Sequence, residues 1–174
     1  MPYFVEVILP LNLAKTFTYS VSKQEFEAIR PGMRIAVPFG KNKIYTALSV
    51  AFHENPPQLY EAKPIHQILD EQPVVTPHQL QHWKWIASYY MCAIGDVYRS
   101  AMPSALILES ETMIQQNTEF TVDAKELSDD EFLIYQALQQ QSSLTVQEIT
   151  SVLGKKNIFP ILRKMMQRNL VLLV

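Results

Sequence analysis

Three observations predict an α+β chain in two parts. Residues 3–69 carry five short runs rich in β-branched and aromatic residues, separated by Pro, Gly and Asn turn signals, which is the spacing of a small all-β unit. From residue 76 the apolar pattern changes to a helical period. Residues 128–174 then read as helix, helix, basic helix, strand. The first part is expected to be a small OB-like β-barrel with covering helices, residues 1–103. The last is expected to be a winged-helix domain, residues 128–174, reached through a connecting segment, 104–127.

The elements follow in order. Residues 3–9 form a strand closed by Pro10, and 16–21 a second. Ser22 caps a short helix, 23–30, stopped by Pro31-Gly32. Residues 33–39 and 44–52 are the third and fourth strands, joined by the hairpin turn Gly40-Lys41-Asn42-Lys43. Pro56-Pro57 marks a loop before a fifth strand, 62–69. Thr76-Pro77-His78-Gln79 is a helix start with a hydroxyl N-cap, proline at N1 and glutamine at N3. Leu80, Trp83, Ala87 and Tyr90 share one face of that helix, and a second helix, 94–101, ends before Pro103. Both are expected to cover the barrel.

The connecting segment holds an extended stretch around residues 106–114. Ser128 caps helix 129–140, Thr145 caps helix 146–153, and a third helix, 156–168, follows the stop at Gly154 and contains Pro160. A strand, 170–174, closes the chain. A wing hairpin needs a second strand, so the wing is expected to be truncated and the chain to be a piece of something longer.

Composition narrows the function. The 174 residues are 48% hydrophobic with a formal net charge of −2, which argues against disorder and against a purely polyelectrolyte nucleic-acid binder. Charge is unevenly spread. Residues 109–131 hold eight acids and one base, whereas 149–174 hold five bases and no acid. The single cysteine, Cys92, excludes an intrachain disulfide. The first residues lack the basic start and unbroken apolar run of a signal peptide, and no apolar stretch is long enough to span a membrane. A cytoplasmic location and no membrane partner are expected.

Several constellations have a functional and a structural reading. Lys155, Lys156, Arg163, Lys164 and Arg168 lie on or beside the third winged-helix helix. They suit phosphate contacts, and equally a solvated face that complements the helix dipole. Trp83, Trp85, Tyr89, Tyr90 and Tyr98 could stack on bases, but the stripe shared with Leu80 and Ala87 points to packing for most of them. His78 and His82 stand four apart without the glutamate or third ligand of a zinc site, so no metal is expected. Gly40-Lys41 lacks the rest of a phosphate loop, and no catalytic set stands out. Phe17, Gly40 and Lys63 remain. They can be a wall, a turn and a surface cation, or a pocket that holds a nucleotide by its base and phosphate.

An ordered set of segments bears on that choice. Val7-Ile8-Leu9-Pro10, Thr16-Phe17-Thr18-Tyr19, the run from Gly32 to Lys41 that ends in Val37-Pro38-Phe39-Gly40-Lys41, Ala87-Ser88-Tyr89-Tyr90, Gly95-Asp96-Val97-Tyr98 and Ala101-Met102-Pro103 occur in sequence. Together they resemble the N-terminal DNA-binding region of the bacterial replication-restart helicases of the PriA family (primosomal protein N-prime), over about residues 3–103. The resemblance implies a domain that captures the 3′ end of the nascent leading strand at a stalled fork. Carried over by position, the pocket is Phe17, Thr18, Gly40 and Lys63. Read from their charge and placement, Lys41, Lys43, Lys155, Lys156, Arg163 and Lys164 are candidates for contacts to the DNA backbone. Thr18 stands where many members have aspartate, which replaces a strong acceptor by a neutral one.

The same resemblance places ATP and zinc in later domains, with no cofactor in this fragment and no enzymatic activity of its own. Forked DNA is the implied partner here. Single-stranded DNA-binding protein and other primosome proteins are implied for the parent. Two other readings stay open on the sequence: an OB and winged-helix regulator of transcription or RNA, and a protein-interaction adaptor.

Overall fold

A computed structural model describes residues 2–40, 43–58, 60–109, 111–119, 127–155 and 157–173. The chain divides into two compact units, Met1–Pro103 and Ser104–Val174.

In the first unit, strands β1 (Tyr3–Ile8), β2 (Phe17–Val21), β3 (Arg34–Phe39), β4 (Lys43–His53) and β5 (Gln67–Ile68) form an antiparallel sheet in the order β2-β1-β4-β3-β5. Their inward residues, among them Val5, Val7, Tyr19, Ile35, Val37 and Ala47, make one core. The expected fifth strand, 62–69, is real as extended chain but changes partner midway. Ser20 N–H donates to Lys63 C=O at 2.9 Å and Ile65 N–H to Ser20 C=O at 3.2 Å, a parallel seam on β2. Then His66 N–H donates to Ala36 C=O at 2.8 Å and Leu69 N–H to Arg34 C=O at 3.0 Å, on β3. Pro64, with no N–H to give, sits opposite Ser20 in the first seam, and the partner changes between Ile65 and His66. Residues 63–69 therefore join the two edge strands and close the barrel.

Helix α1 (Lys23–Ala28) starts at the expected cap, Ser22, which forms a capping box with Glu25, but stops before the expected Arg30. Two causes act. Ile29 is extended so that its side chain enters the core, and Arg30 precedes Pro31, which disfavours the α region.

Helix α2 (Pro77–Tyr89) is capped by Thr76 and Gln79 as the sequence indicates. Helix α3 (Ile94–Ala101) lies directly on the barrel. A Cβ on Gly95 would stand 1.9 Å from the Leu11 carbonyl oxygen and 2.4 Å from that of Leu9, so only glycine fits. Tyr98 is fully buried and donates to Thr46 C=O at 3.1 Å. Burial pushes its phenol pKa well up and keeps it a donor.

In the second unit a 3-10 turn (Ser104–Leu106) precedes β6 (Met113–Gln116), α4 (Asp129–Gln140), β7 (Ser143–Thr145), α5 (Val146–Leu153), α6 (Phe159–Gln167) and β8 (Val171–Leu173). The sheet order is β7-β6-β8, antiparallel throughout. Ile114, Ile134, Leu144, Ile149, Leu162 and Val171 are buried in its core.

Three expectations change here. The extended stretch around 106–114 lies later, at β6. The 104–127 connection is thus partly an element of the second unit, because β6 is the central strand. The strand that pairs with β8 is β6, which precedes α4, and not a strand of a following hairpin. Pro160 does not interrupt α6. The helix begins at Phe159, so the proline occupies the first turn, where its missing N–H has no partner to lose. Residues 120–126 of the connection lie outside the described residues.

Candidate nucleic-acid interface

One end of the barrel carries a pocket of about 300 Å³, a volume at the lower end of small-molecule clefts. Phe17 opens β2 and Phe39 closes β3, and their rings meet edge to face at 5.1 Å. Together they form an apolar wall. Tyr19, in the core beneath, donates to Pro38 C=O at 3.0 Å and pins the end of β3. Burial first, and Tyr60 nearby second, raise the Tyr19 pKa, so it stays protonated.

Gly40 follows Phe39 with φ +70°, a conformation that glycine adopts without a Cβ penalty. Among the described residues, its chain neighbours aside, no atom lies within 4 Å of where a Cβ would stand. The turn therefore requires glycine for its backbone angle, and the space beside it is open. Lys63 Nζ donates to Gly40 C=O at 3.1 Å, which ties the barrel-closing segment to the hairpin turn. The polar side of the pocket is completed by Thr18, Tyr60 and Glu61.

All four residues assigned to the pocket from the sequence, Phe17, Thr18, Gly40 and Lys63, line this one cavity. Lys43 begins β4 beside it, paired in register with Phe39. Lys41 lies outside the described residues, as does Lys156. Tyr60, three residues before Lys63, is not among those four residues but lines the same cavity. In the structure Thr18 N–H donates to the Tyr60 hydroxyl at 2.8 Å.

The winged-helix cations are arranged differently from the expected open basic face. Lys155 pairs with Asp130 at 2.8 Å, and Lys164 and Arg168 with Glu131 at 3.4 and 3.3 Å. The acids of α4 thus hold the bases at and beyond the ends of α6. Arg163 is exposed and has no ion-pair partner among the described residues.

Glu131 is the centre of that arrangement. Its side chain is 1% exposed, and it accepts from Ser128 N–H at 2.9 Å in the α4 capping box. Burial pushes its pKa up. The Ser128 hydrogen bonds and the Lys164 charge pull it down further, and the net shift is downward. A lowered folded pKa means stability that is present above the ordinary value of 4.5 and lost as pH falls through the folded one. Glu131→Gln is expected to cost the second unit about 2 kcal/mol at neutral pH. The difference from the parent chain should shrink below pH 4.5. Denaturant melts at the two pH values check this, and a difference that persists in acid would contradict it. Lys164 is mostly exposed, so the helix cap supplies more of the effect than that ion pair.

The aromatic cluster expected mainly to pack does so only in part. Trp83 and Tyr98 are buried against each other at 6.1 Å. Trp85, Tyr89 and Tyr90 are 55%, 65% and 67% exposed. Tyr90 caps α2 rather than continuing it, which takes it off the Leu80, Trp83, Ala87 stripe. His82 stacks on Trp85 at 5.7 Å. Among the described residues no group of three His, Cys, Asp or Glu could hold a metal. No helix among them is long and apolar enough to cross a membrane.

A closed barrel with an aromatic, lysine-bearing pocket at its strand ends, followed by a winged helix, defines a nucleic-acid-binding module. The family model described as 3′DNA-binding domain (3′BD) matches residues 6–103, and a winged helix domain model matches 111–174. The chain belongs to the 3′DNA-binding domain family. It is similar to three curated proteins, each named replication restart protein PriA. The Haemophilus influenzae protein is 32% identical over 59% of this chain and 14% of its own length. The Treponema pallidum protein is 25% identical over 60% and 16%, and that of Buchnera aphidicola 28% identical over 64% and 15%. The chain therefore aligns with about a seventh of these relatives.

Proposed function

We propose that this chain recognises the 3′ end of a DNA strand at a fork. The observation that carries the reading is the single pocket formed by Phe17, Thr18, Gly40 and Lys63 in a 3′DNA-binding domain. The terminal base lies against Phe17 and Phe39. The open side of Gly40 admits it against the backbone. Lys63, with one proton engaged by Gly40 C=O, has two left for a base or phosphate oxygen.

In a longer protein resembling PriA, holding the nascent leading strand in this way positions a motor on a stalled fork, so that the replicative helicase is reloaded. ATP and zinc belong to that longer protein in this reading, as do single-stranded DNA-binding protein and the other primosome partners. Its setting is the bacterial cytoplasm. The winged helix adds a modest duplex contact through Arg163. Lys155 and Lys164 contribute only by giving up Asp130 and Glu131.

The test is fluorescence anisotropy with two forks, one carrying a leading-strand 3′ end at the junction and one lacking it. The fork with the end is expected to bind at least about fivefold more tightly, as one stacked base implies. Equal affinity for the two forks sinks the proposal.

A further inference from the structure

The hydrogen bond between Thr18 and Tyr60 leaves a donor unused. Strand β2 is paired with β1 on one side, and on the other its Ser20 bonds the 63–65 segment. Thr18 lies two residues nearer the pocket on that same outer edge, because backbone groups face alternate sides along a strand. Among the described residues no strand reaches it there. Its N–H is accepted instead by the Tyr60 hydroxyl, at 2.8 Å. A phenol oxygen that accepts in this way keeps its own proton for another partner. Among the described residues no acceptor takes that proton, and Tyr60 lines the pocket.

The pocket's chemistry says what the proton is for. One wall is the Phe17 and Phe39 pair, suited to the flat face of a base. The polar side brings together Thr18, Glu61, the Tyr60 hydroxyl on Thr18 N–H and the Lys63 ammonium on Gly40 C=O. A nucleotide whose base lies on the first wall turns its sugar to the second. A free hydroxyl on that sugar both accepts and donates. Tyr60 meets its accepting side, and Thr18 or Glu61 meets its proton.

We infer that Tyr60 is a specificity-determining residue of the pocket, donating its phenolic proton to the 3′ oxygen of the terminal nucleotide. This rests on the 3′-end reading above and deepens it. The backbone of β2 holds the phenol oxygen in place through Thr18 N–H. The donor is thus oriented before the DNA arrives.

The experiment compares the full chain with Tyr60→Phe, which removes one oxygen from an exposed ring. Anisotropy is measured on three forks: a 3′-hydroxyl end, the same end as the 3′-deoxy nucleotide, and no end. The parent chain is expected to prefer the hydroxyl end over the deoxy end by about fivefold, the worth of one neutral hydrogen bond. Tyr60→Phe should bring that ratio to near one while still preferring either end over none.

A ratio unchanged in Tyr60→Phe overturns the inference and leaves the 3′-end reading standing. So does an equal loss on all three forks, which would mark Tyr60 as a structural support for β2. No end preference in the parent chain overturns both.

Discussion

Phe17→Ala is expected to weaken binding of an end-bearing fork by ten- to a hundredfold and to leave the end-free fork unchanged. The magnitude follows from the stacking contribution of one aromatic side chain, roughly 1–3 kcal/mol per base. Phe17 is only half-buried and sits at the rim of the core. Its ring contacts Phe39 at 5.1 Å and faces the pocket, so truncation opens the wall without emptying the interior. The same substitution should lower stability, but less than removal of a fully buried phenylalanine, which costs about 3–5 kcal/mol. Titration of both forks with the variant, beside a thermal melt, separates the two effects. A parallel loss on both forks would remove Phe17 from the end pocket.

The second large effect is expected from Asp70→Ala. Asp70 accepts from Arg34 N–H at 2.8 Å and from Arg34 Nε at 2.9 Å, and pairs with its Nη2. The two side chains are 5% and 4% exposed. Removing the carboxylate leaves a buried guanidinium without its bidentate anion, which costs about 3 kcal/mol or more. That is a large share of the stability of a small domain. The position makes it more than a stability mutation. Asp70 directly follows the segment that closes the barrel, and Lys63 begins it. Asp70→Ala should therefore melt the first unit earlier in denaturant and weaken end-specific binding as well. Unchanged melting would show that the pair is dispensable.

How much of this could be read from residues depends on how local each cause is. Capping boxes at Ser22, Thr76, Ser128 and Thr145 are complete within four residues, and all four start helices. The barrel strands were legible because Pro and Gly punctuate them. The sequence Met113-Ile114-Gln115-Gln116 has little strand character of its own. It becomes β6 because β7 and β8 pair with it from both sides.

The pocket shows the same division. Residue types grouped Phe17, Gly40 and Lys63 but could not choose between structural parts and a pocket, and the family resemblance tipped that choice. The hydrogen bond to Tyr60 could not be read from residues, because it depends on a strand-edge N–H that the sheet ladder leaves over, a property of the folded sheet. The exposure of Trp85 and Tyr89 was hidden for a related reason. An aromatic on a helix reads the same whether or not another element covers it. The pairing of Lys155 with Asp130 and Lys164 with Glu131 is also non-local, so a basic run in the sequence became a largely compensated surface.

The seam between β2 and residues 63–65 has a kinetic consequence. Ser20 and Lys63 are far apart in the chain, with strands β3 and β4 between them. Closing such a loop is entropically costly until the intervening strands have paired. The seam is therefore expected to form late in folding and to break early when the unit opens locally. Lys63, Tyr60 and the outer edge of β2 belong to that seam. The surface that would grip a DNA end is the barrel's last latch.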